Sequence, residues 1–282
     1  MPILGPNIPN LQAKRDVNGL IRALQSKDLR TRCAALRALG ELRDPRALPV
    51  LRDWLLAETT TTTEKIEATE ALGKLGDATV LDALGVANEQ SHAREKREIE
   101  AAIASSDRTH RPGFYINRIA ANEYALRAAI ARVLAQLGGA RALEKLFQML
   151  ALEDGAMVSA AQAVIKEAVA TILERGDATS APLVRAHLKH ASADVREQAA
   201  HCLSAFPEAE SVDALLDVVC DENETFNVRT AAFITLGKIG DARALPRLEE
   251  LIRFPNQGVA REAKQCLVTI RQRLHLPTFT RF

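Results

Sequence analysis

The chain has 282 residues, of which 47% are hydrophobic and 26% charged, so it is neither a disordered nor a low-complexity sequence. Alanine and leucine are abundant and aromatic residues make up only 4%, a composition that favours helices over strands. The 37 lysines and arginines balance 36 aspartates and glutamates, which argues against a dedicated binder of nucleic acid or anionic membranes.

The sequence offers no sign of export, membrane insertion or metal binding. It has no run of about 18 apolar residues that could span a bilayer, and its N-terminus lacks the regions of a signal peptide. The cysteines form no CxxC pair, so neither a disulfide framework nor a zinc site is predicted for Cys33, Cys202, Cys220 and Cys266. We therefore expect a cytoplasmic protein without a cofactor.

The chain repeats itself. Residues 31–51 align without gaps to residues 228–248 and match at 11 of 21 positions. The same pattern recurs along the chain, with one large aliphatic anchor per unit at Leu39, Leu72, Leu134, Ile172, Leu203, Leu236 and Leu267. Most anchors lie 31 to 38 residues apart, a spacing that fits two helices and their turns.

Each unit reads as a first helix, a short turn and a second helix. Small and apolar residues fall at helical spacing, which predicts a buried face on first helices over 29–41, 64–74, 123–136, 158–175, 194–204, 227–239 and 258–272. Gly-Asp pairs at 76–77, 176–177 and 240–241 would end the first helix with the glycine in a left-handed conformation, and the aspartate would cap the next helix. Proline early in a second helix costs little, as at Pro49, Pro182 and Pro246.

This unit resembles the HEAT-like repeat named after phycobilisome lyases, most specifically at 228–248. The resemblance implies an all-α fold, a right-handed α–α superhelix or α-solenoid of seven or eight helical pairs forming one domain over residues 1–282. It also implies that the first helices line the concave side. Arg32, Arg127, Arg196 and Arg229 share one repeat position, where the resemblance implies a structural ladder with nearby acids such as Asp194.

The ends of the chain depart from the repeat. Residues 1–15 would form an N-terminal cap and residues 273–282 a C-terminal tail. Within them, residues 2–11 and 274–282 are apolar and contain prolines that disfavour a helix. They either cover the exposed ends of the core or dock on a partner through Phe279 and Phe282. A threonine run at 59–63 predicts a solvated turn that can cap a helix.

The spacing of 62 residues between Leu72 and Leu134 predicts a degenerate repeat with an inserted loop over 87–122. Residues 88–106 would be a long charged helix, followed by an irregular loop over 107–118. Arginine and aromatic side chains are typical interface anchors, so this loop is a candidate binding element with His110, Arg111, Phe114, Tyr115 and Arg118. Alternatively, Phe114, Tyr115 and Ile116 fold back and plug the solenoid.

A further candidate surface is the exposed stripe at positions 3 and 7 of the first helices. It comprises Cys33/Arg37, Ile66/Glu70, Ala128/Arg132, Lys166/Ala170, Glu197/His201, Thr230/Ile234 and Arg261/Gln265. Mixed charges with intermittent apolar residues suit a protein or peptide better than a polyanion. Arg37, Arg132, His201 and Ile234 are the partner-binding candidates of this stripe, while Cys202 and Cys266 are predicted to fill the core.

The sequence gives little support for three enzyme activities that are known on related repeats. None of the six histidines is followed by glutamate, as the di-iron site of deoxyhypusine hydroxylases requires. The predicted first helices carry 15 basic and 10 acidic residues, too mild a surplus for a DNA glycosylase groove. Lyase activity would rest on the repeat alone.

These observations favour a non-enzymatic interaction module or scaffold that binds a protein or peptide through its concave face, the 107–118 loop, or both. A nucleic-acid-binding or DNA-repair protein is the alternative interpretation. Lyase or oxidoreductase activity comes third, since it depends on analogy to the family only.

Overall fold

The computed structural model describes residues 6–104, 112–153, 158–253 and 256–277. These residues contain no strand and form fifteen α-helices: α1 Ile8–Ala13, α2 Val17–Ala23, α3 Leu29–Leu42, α4 Leu48–Leu56, α5 Thr62–Leu75, α6 Leu81–Ala104, α7 Pro112–Leu137, α8 Gly139–Leu152, α9 Val158–Leu173, α10 Ala181–His187, α11 Ala193–Cys202, α12 Ala209–Cys220, α13 Phe226–Ile239, α14 Ala244–Ile252 and α15 Gln257–Arg273. The all-α solenoid predicted from the repeat is confirmed.

The chain divides into two compact units, residues 1–168 and 169–282. In the first unit, α3, α5 and α7 pack side by side as first helices, with α4, α6 and α8 as their second helices. In the second unit, α11, α13 and α15 are the first helices and α10, α12 and α14 the second. Each unit is thus a stack of helical pairs that bury apolar faces against their neighbours.

The repeat anchors form the core as predicted. Leu39, Leu72 and Leu134 are completely buried in the first unit, and Leu203, Leu236 and Leu267 in the second. The predicted first helices agree with the observed ones within about two residues, except that α7 begins 11 residues earlier than position 123. Cys202 and Cys266 are also buried, as predicted.

The turns follow the predicted chemistry with one exception. Gly76 and Gly176 adopt left-handed φ angles of +72° and +73°, and the aspartate after each glycine accepts a backbone N–H that starts the next turn. Gly240 has a φ of −56°, so the left-handed conformation expected there is wrong. Its N–H still bonds to the Leu236 carbonyl, which ends α13 without a change of handedness.

Two regions predicted to be irregular are helical. Residues 8–13 form α1 although Pro9 lies among them, because proline is tolerated in the first turn of a helix. Residues 112–118 begin α7 for the same reason, with Pro112 as its first residue. The predicted loop is therefore wrong over 112–118, and the rest of it, 107–111, lies outside the described residues.

The long gap between anchors is filled by longer helices. The α6 helix has 24 residues and α7 has 26, against 14 in each of α3, α5 and α13. The described residues of the predicted degenerate repeat belong to these two helices, which pack against each other. The insertion thus lengthens one helical hairpin.

The threonine run does cap a helix, but it is not fully solvated. Thr61 is the N-cap of α5 and forms a capping box with Glu64. Thr60 is buried, and its hydroxyl donates to the Trp54 and Ala57 carbonyls. None of the helices in the described parts of the chain is both long and apolar enough to cross a membrane.

Candidate functional site

Within each unit, the exposed side chains of the first helices form a surface that we call the first-helix face. Position 7 of the repeat lies on it: Arg37 and Arg132 are exposed in the first unit, Ile234 is exposed in the second, and His201 is half-buried. Arg37 donates from Nε to Glu67 Oε2 at 2.7 Å, and this hydrogen bond raises the pKa of the guanidinium. The structure places Arg37 and Arg132 in one unit and His201 and Ile234 in the other.

Position 3 is less accessible than predicted. Cys33, expected on the exposed side of its helix, is only 4% exposed, and Ala128 is buried as well. Burial raises the pKa of the Cys33 thiol, with a further contribution from Glu67 and Glu64. The acids beside Cys33 belong to α5, the next first helix in the stack, which the sequence of a single helix does not reveal.

An apolar groove opens on the first-helix face between α13 and α15. It has a volume of about 480 Å³ and is lined by Thr230, Phe233, Ile234, Gly237, Lys238, Glu262, Gln265, Cys266 and Thr269. Phe233 and Cys266 form its nearly buried floor, whereas Ile234 on its wall is 48% exposed. Exposed aliphatic area beside a recess is typical of a surface that receives an apolar side chain.

A local widening between the two helices produces this groove. Gly40, Gly73 and Gly237 share one repeat position. A Cβ at Gly40 would lie 2.7 Å from Ala71 Cα, and one at Gly73 would lie 2.8 Å from Val133 Cγ2. A Cβ at Gly237 would first meet Thr269 Cγ2 at 3.4 Å, an ordinary contact. The neighbouring helix therefore packs closely at the first two glycines and leaves space at the third.

A second cavity of about 380 Å³ lies on the other side of α13. Its lining includes Glu174, His201 and Cys202, and it shares Lys238 with the groove. Burial raises the pKa of the Cys202 thiol to about 12, so this side chain acts as an apolar filler. His201 and Ile234, both predicted binding residues, thus lie at two cavities that meet at Lys238, a residue that the sequence did not single out.

The helical pairs described above match a known repeat family. The family profile of HEAT repeats matches residues 4–65, 20–104, 152–226 and 181–268, which together span more than half of the chain. The chain belongs to the HEAT-repeat family. A search of curated proteins gives no match.

Solved structures are similar to the chain over most of its length at low identity. The complex of CpcE and CpcF of phycocyanin lyase from a Nostoc species matches with 21% identity, covering 94% of this chain and 90% of that one, at a TM-score of 0.37. Human deoxyhypusine hydroxylase in complex with glycerol matches with 19% identity, covering 94% and 88%, at a TM-score of 0.37. An engineered protein matches with 18% identity, covering 91% and 97%, at 0.30.

The arginines at the second position of the HEAT repeats bind acidic side chains and backbone carbonyls. Arg32 donates from Nε to Glu64 Oε1 at 2.6 Å, and Arg196 forms a two-pronged pair with Glu224 through Nε and Nη2, each bond at 2.8 Å. Both acids come from the following repeat. Like Arg32 and Arg196, Arg229 donates to backbone carbonyls of the turn before its helix, here those of Asp221 and Glu224. The structural ladder stays a prediction, and Glu224 is an acid that pairs with Arg196.

The remaining ladder arginine belongs to a buried charge cluster that the sequence did not predict. Arg127 on α7 is 1% exposed and donates from Nη1 to Glu95 Oε2 on α6 at 2.6 Å, while its Nε lies 3.2 Å from Glu153 Oε1 at the end of α8. His92 Nε2 lies 3.4 Å from the same Glu153 oxygen. Little in the sequence indicated that these side chains are buried, because a charged residue on a long polar helix normally faces solvent.

The predicted loop residues contribute little to the described site. His110 and Arg111 lie outside the described residues, as do the side chains of Phe114 and Tyr115, whose backbone is in the first turn of α7. Arg118 is exposed on the same helix. Nowhere in the described ranges do three histidine, cysteine or acidic side chains come together as potential metal ligands.

Proposed function

We propose that this HEAT-repeat protein is a non-enzymatic interaction module, or scaffold, that binds a protein partner in the cytoplasm through its first-helix face. HEAT repeats form a fold suited to protein interaction, and the observation that carries the proposal is the apolar groove between α13 and α15 with Ile234 exposed on its wall. The groove offers apolar area and two charged rim groups, Lys238 and Glu262, which is the composition of a peptide-binding surface.

A peptide-display selection against the whole chain tests the proposal. Selected peptides should bind the wild type and bind the Ile234→Arg variant at least about tenfold more weakly, because one buried anchor contributes about 1.5 to 3 kcal/mol. Ile103→Arg is the matched control, since Ile103 is 58% exposed on α6 in the other unit. If the selected peptides bind the wild type, Ile234→Arg and Ile103→Arg equally, the groove is not the binding site.

The predicted 107–118 loop is the competing location for the partner. Arg111→Ala combined with Tyr115→Ala tests it in the same assay. Binding that survives this double variant and is lost in Ile234→Arg supports the first-helix face. The opposite pattern would move the site to the loop.

A further inference from the structure

The groove between α13 and α15 has one acidic and one basic end. Thr230 Oγ1 donates to Glu262 Oε1 at 2.8 Å, which pairs the early part of α13 with the early part of α15. Gly237 lies opposite Thr269, which pairs their later parts. The two helices therefore run in the same direction, with Glu262 near one end of the groove and Lys238 near the other.

The distance between these ends sets the size of the ligand. Thr230, beside Glu262, and Lys238 are eight residues apart on α13, which corresponds to about 12 Å along the helix axis. Two turns of an α-helix cover nearly the same length, and residues at i, i+4 and i+7 lie on one face of it. A bound helix can thus reach the acidic end, the middle and the basic end of the groove with three side chains.

The middle of the groove is apolar. Phe233 and Cys266 form its floor, each 4% exposed, and Ile234 and Thr269 contribute the walls. Burial raises the pKa of the Cys266 thiol to about 12, so it presents a neutral surface at physiological pH. A large aliphatic or aromatic side chain is the group that gains from filling this recess.

We propose that the groove binds an amphipathic helix of a partner protein that carries a basic, a large apolar and an acidic residue at i, i+4 and i+7, in either chain direction. The basic side chain pairs with Glu262, the apolar side chain fills the recess beside Ile234, and the acidic side chain pairs with Lys238. This inference rests on the proposed function and specifies the chemistry of the partner.

Synthetic helical peptides test this pattern on the whole protein. One peptide carries Arg, Leu and Glu at the three positions, and two others carry Arg, Leu, Arg or Glu, Leu, Glu in the same background. Binding is measured by fluorescence anisotropy at low salt, where charge pairs at the rim are least screened. The wild type should bind the mixed peptide best, and replacing its Leu by Ser should abolish binding.

Charge reversal at one end should change the preferred peptide. Lys238→Glu should favour the Arg, Leu, Arg peptide over the mixed one by about tenfold, because an attraction at the rim becomes a repulsion. Glu262→Lys should favour the Glu, Leu, Glu peptide in the same way. Lys96→Glu, an exposed substitution on α6, is the control and should leave the order unchanged.

Three negative results have different consequences for the two proposals. If the peptides bind and depend on Ile234, but all three charge patterns bind wild type and variants equally, the proposed partner chemistry is wrong while the first-helix face stays the site. If display-selected peptides bind Ile234→Arg as tightly as the wild type, the proposed function itself fails. A wild type that binds none of the three synthetic peptides also overturns the charge pattern.

Discussion

Arg127 Nη1 donates to Glu95 Oε2 at 2.6 Å, and the two side chains are 1% and 5% exposed. This pair links the long helices α6 and α7: Arg127 lies in the repeat part of α7, and Glu95 lies beyond the fourteenth residue of α6. The second acid, Glu153, approaches from the end of α8. Charges so deeply buried are tolerated only when they are paired, so the lengthened hairpin depends on all three groups.

Arg127→Met should destabilise the first unit strongly. The substitution leaves Glu95 and Glu153 buried without their cation, and breaking a buried pair in this way costs about 3 to 5 kcal/mol. Urea denaturation followed by circular dichroism measures the loss. Arg141→Met is the control, because its pair with Asp82 is exposed and contributes at most about 1 kcal/mol.

Replacing the whole cluster separates pairing from packing. Arg127→Met combined with Glu95→Leu and Glu153→Leu should recover most of the lost stability, since apolar groups of similar volume often substitute well for buried ions. If Arg127→Met alone lowers the free energy of unfolding by less than about 1 kcal/mol, water reaches Glu95 and Glu153.

The repeat architecture was predictable because it depends on local periodicity. Leu39 and Leu236 anchor their units at equivalent positions, and both are completely buried. The pattern of a single helix also placed Arg37 and Ile234 on an exposed face. Such features follow from helical spacing alone.

Contacts between helices were not predictable in the same way. Cys33 is buried in a helix that packs against α5, and no feature of its own helix indicates this. The groove at Gly237 depends on the separation of α13 from α15, although the same glycine at Gly40 is tightly packed. Pro112 misled the prediction because proline marks a helix start as readily as a loop.

Lys65 should make the stability of the protein depend on pH in the alkaline range. Burial, assisted by the charge of Arg94, lowers the pKa of its ammonium from 10.5 to about 8 in the folded protein. Between these two values the unfolded chain binds more protons than the folded one, so the free energy of unfolding should rise as the pH increases from about 8 to about 10. Below pH 8 the lysine is protonated in both states and contributes no further pH dependence.

Lys65→Met provides the comparison. Its side chain cannot titrate, so the difference in stability between wild type and variant should change by about 3 kcal/mol across this range. Urea midpoints at several pH values measure the difference. A difference that is constant with pH would mean that the donor bond from Lys65 Nζ to the Leu55 carbonyl, at 2.6 Å, fully compensates for burial.

Thiol reactivity should report on burial. Cys33, Cys202 and Cys266 are nearly inaccessible, and burial raises the thiol pKa of the latter two to about 12. Cys220 is half-buried. Because the thiolate is the reactive form, Ellman's reagent should modify Cys220 first in the native protein and the other three only on unfolding. Rapid labelling of the Cys220→Ser variant under native conditions would contradict the buried positions.

Equivalent glycines should respond oppositely to the same substitution. Gly237→Ala should stabilise the protein by about 0.5 to 1 kcal/mol, because alanine is the better helix former and its Cβ would meet only ordinary contacts.

Gly40→Ala should destabilise the protein by about 1 to 3 kcal/mol, because its Cβ would lie 2.7 Å from Ala71 Cα and force two helices apart. Urea unfolding of both variants measures the two changes, with Gly85→Ala as a control whose Cβ meets only the flexible Lys145 side chain. Equal effects at Gly40 and Gly237 would mean that α13 and α15 pack as closely as α3 and α5, and the groove beside Ile234 would then be closed.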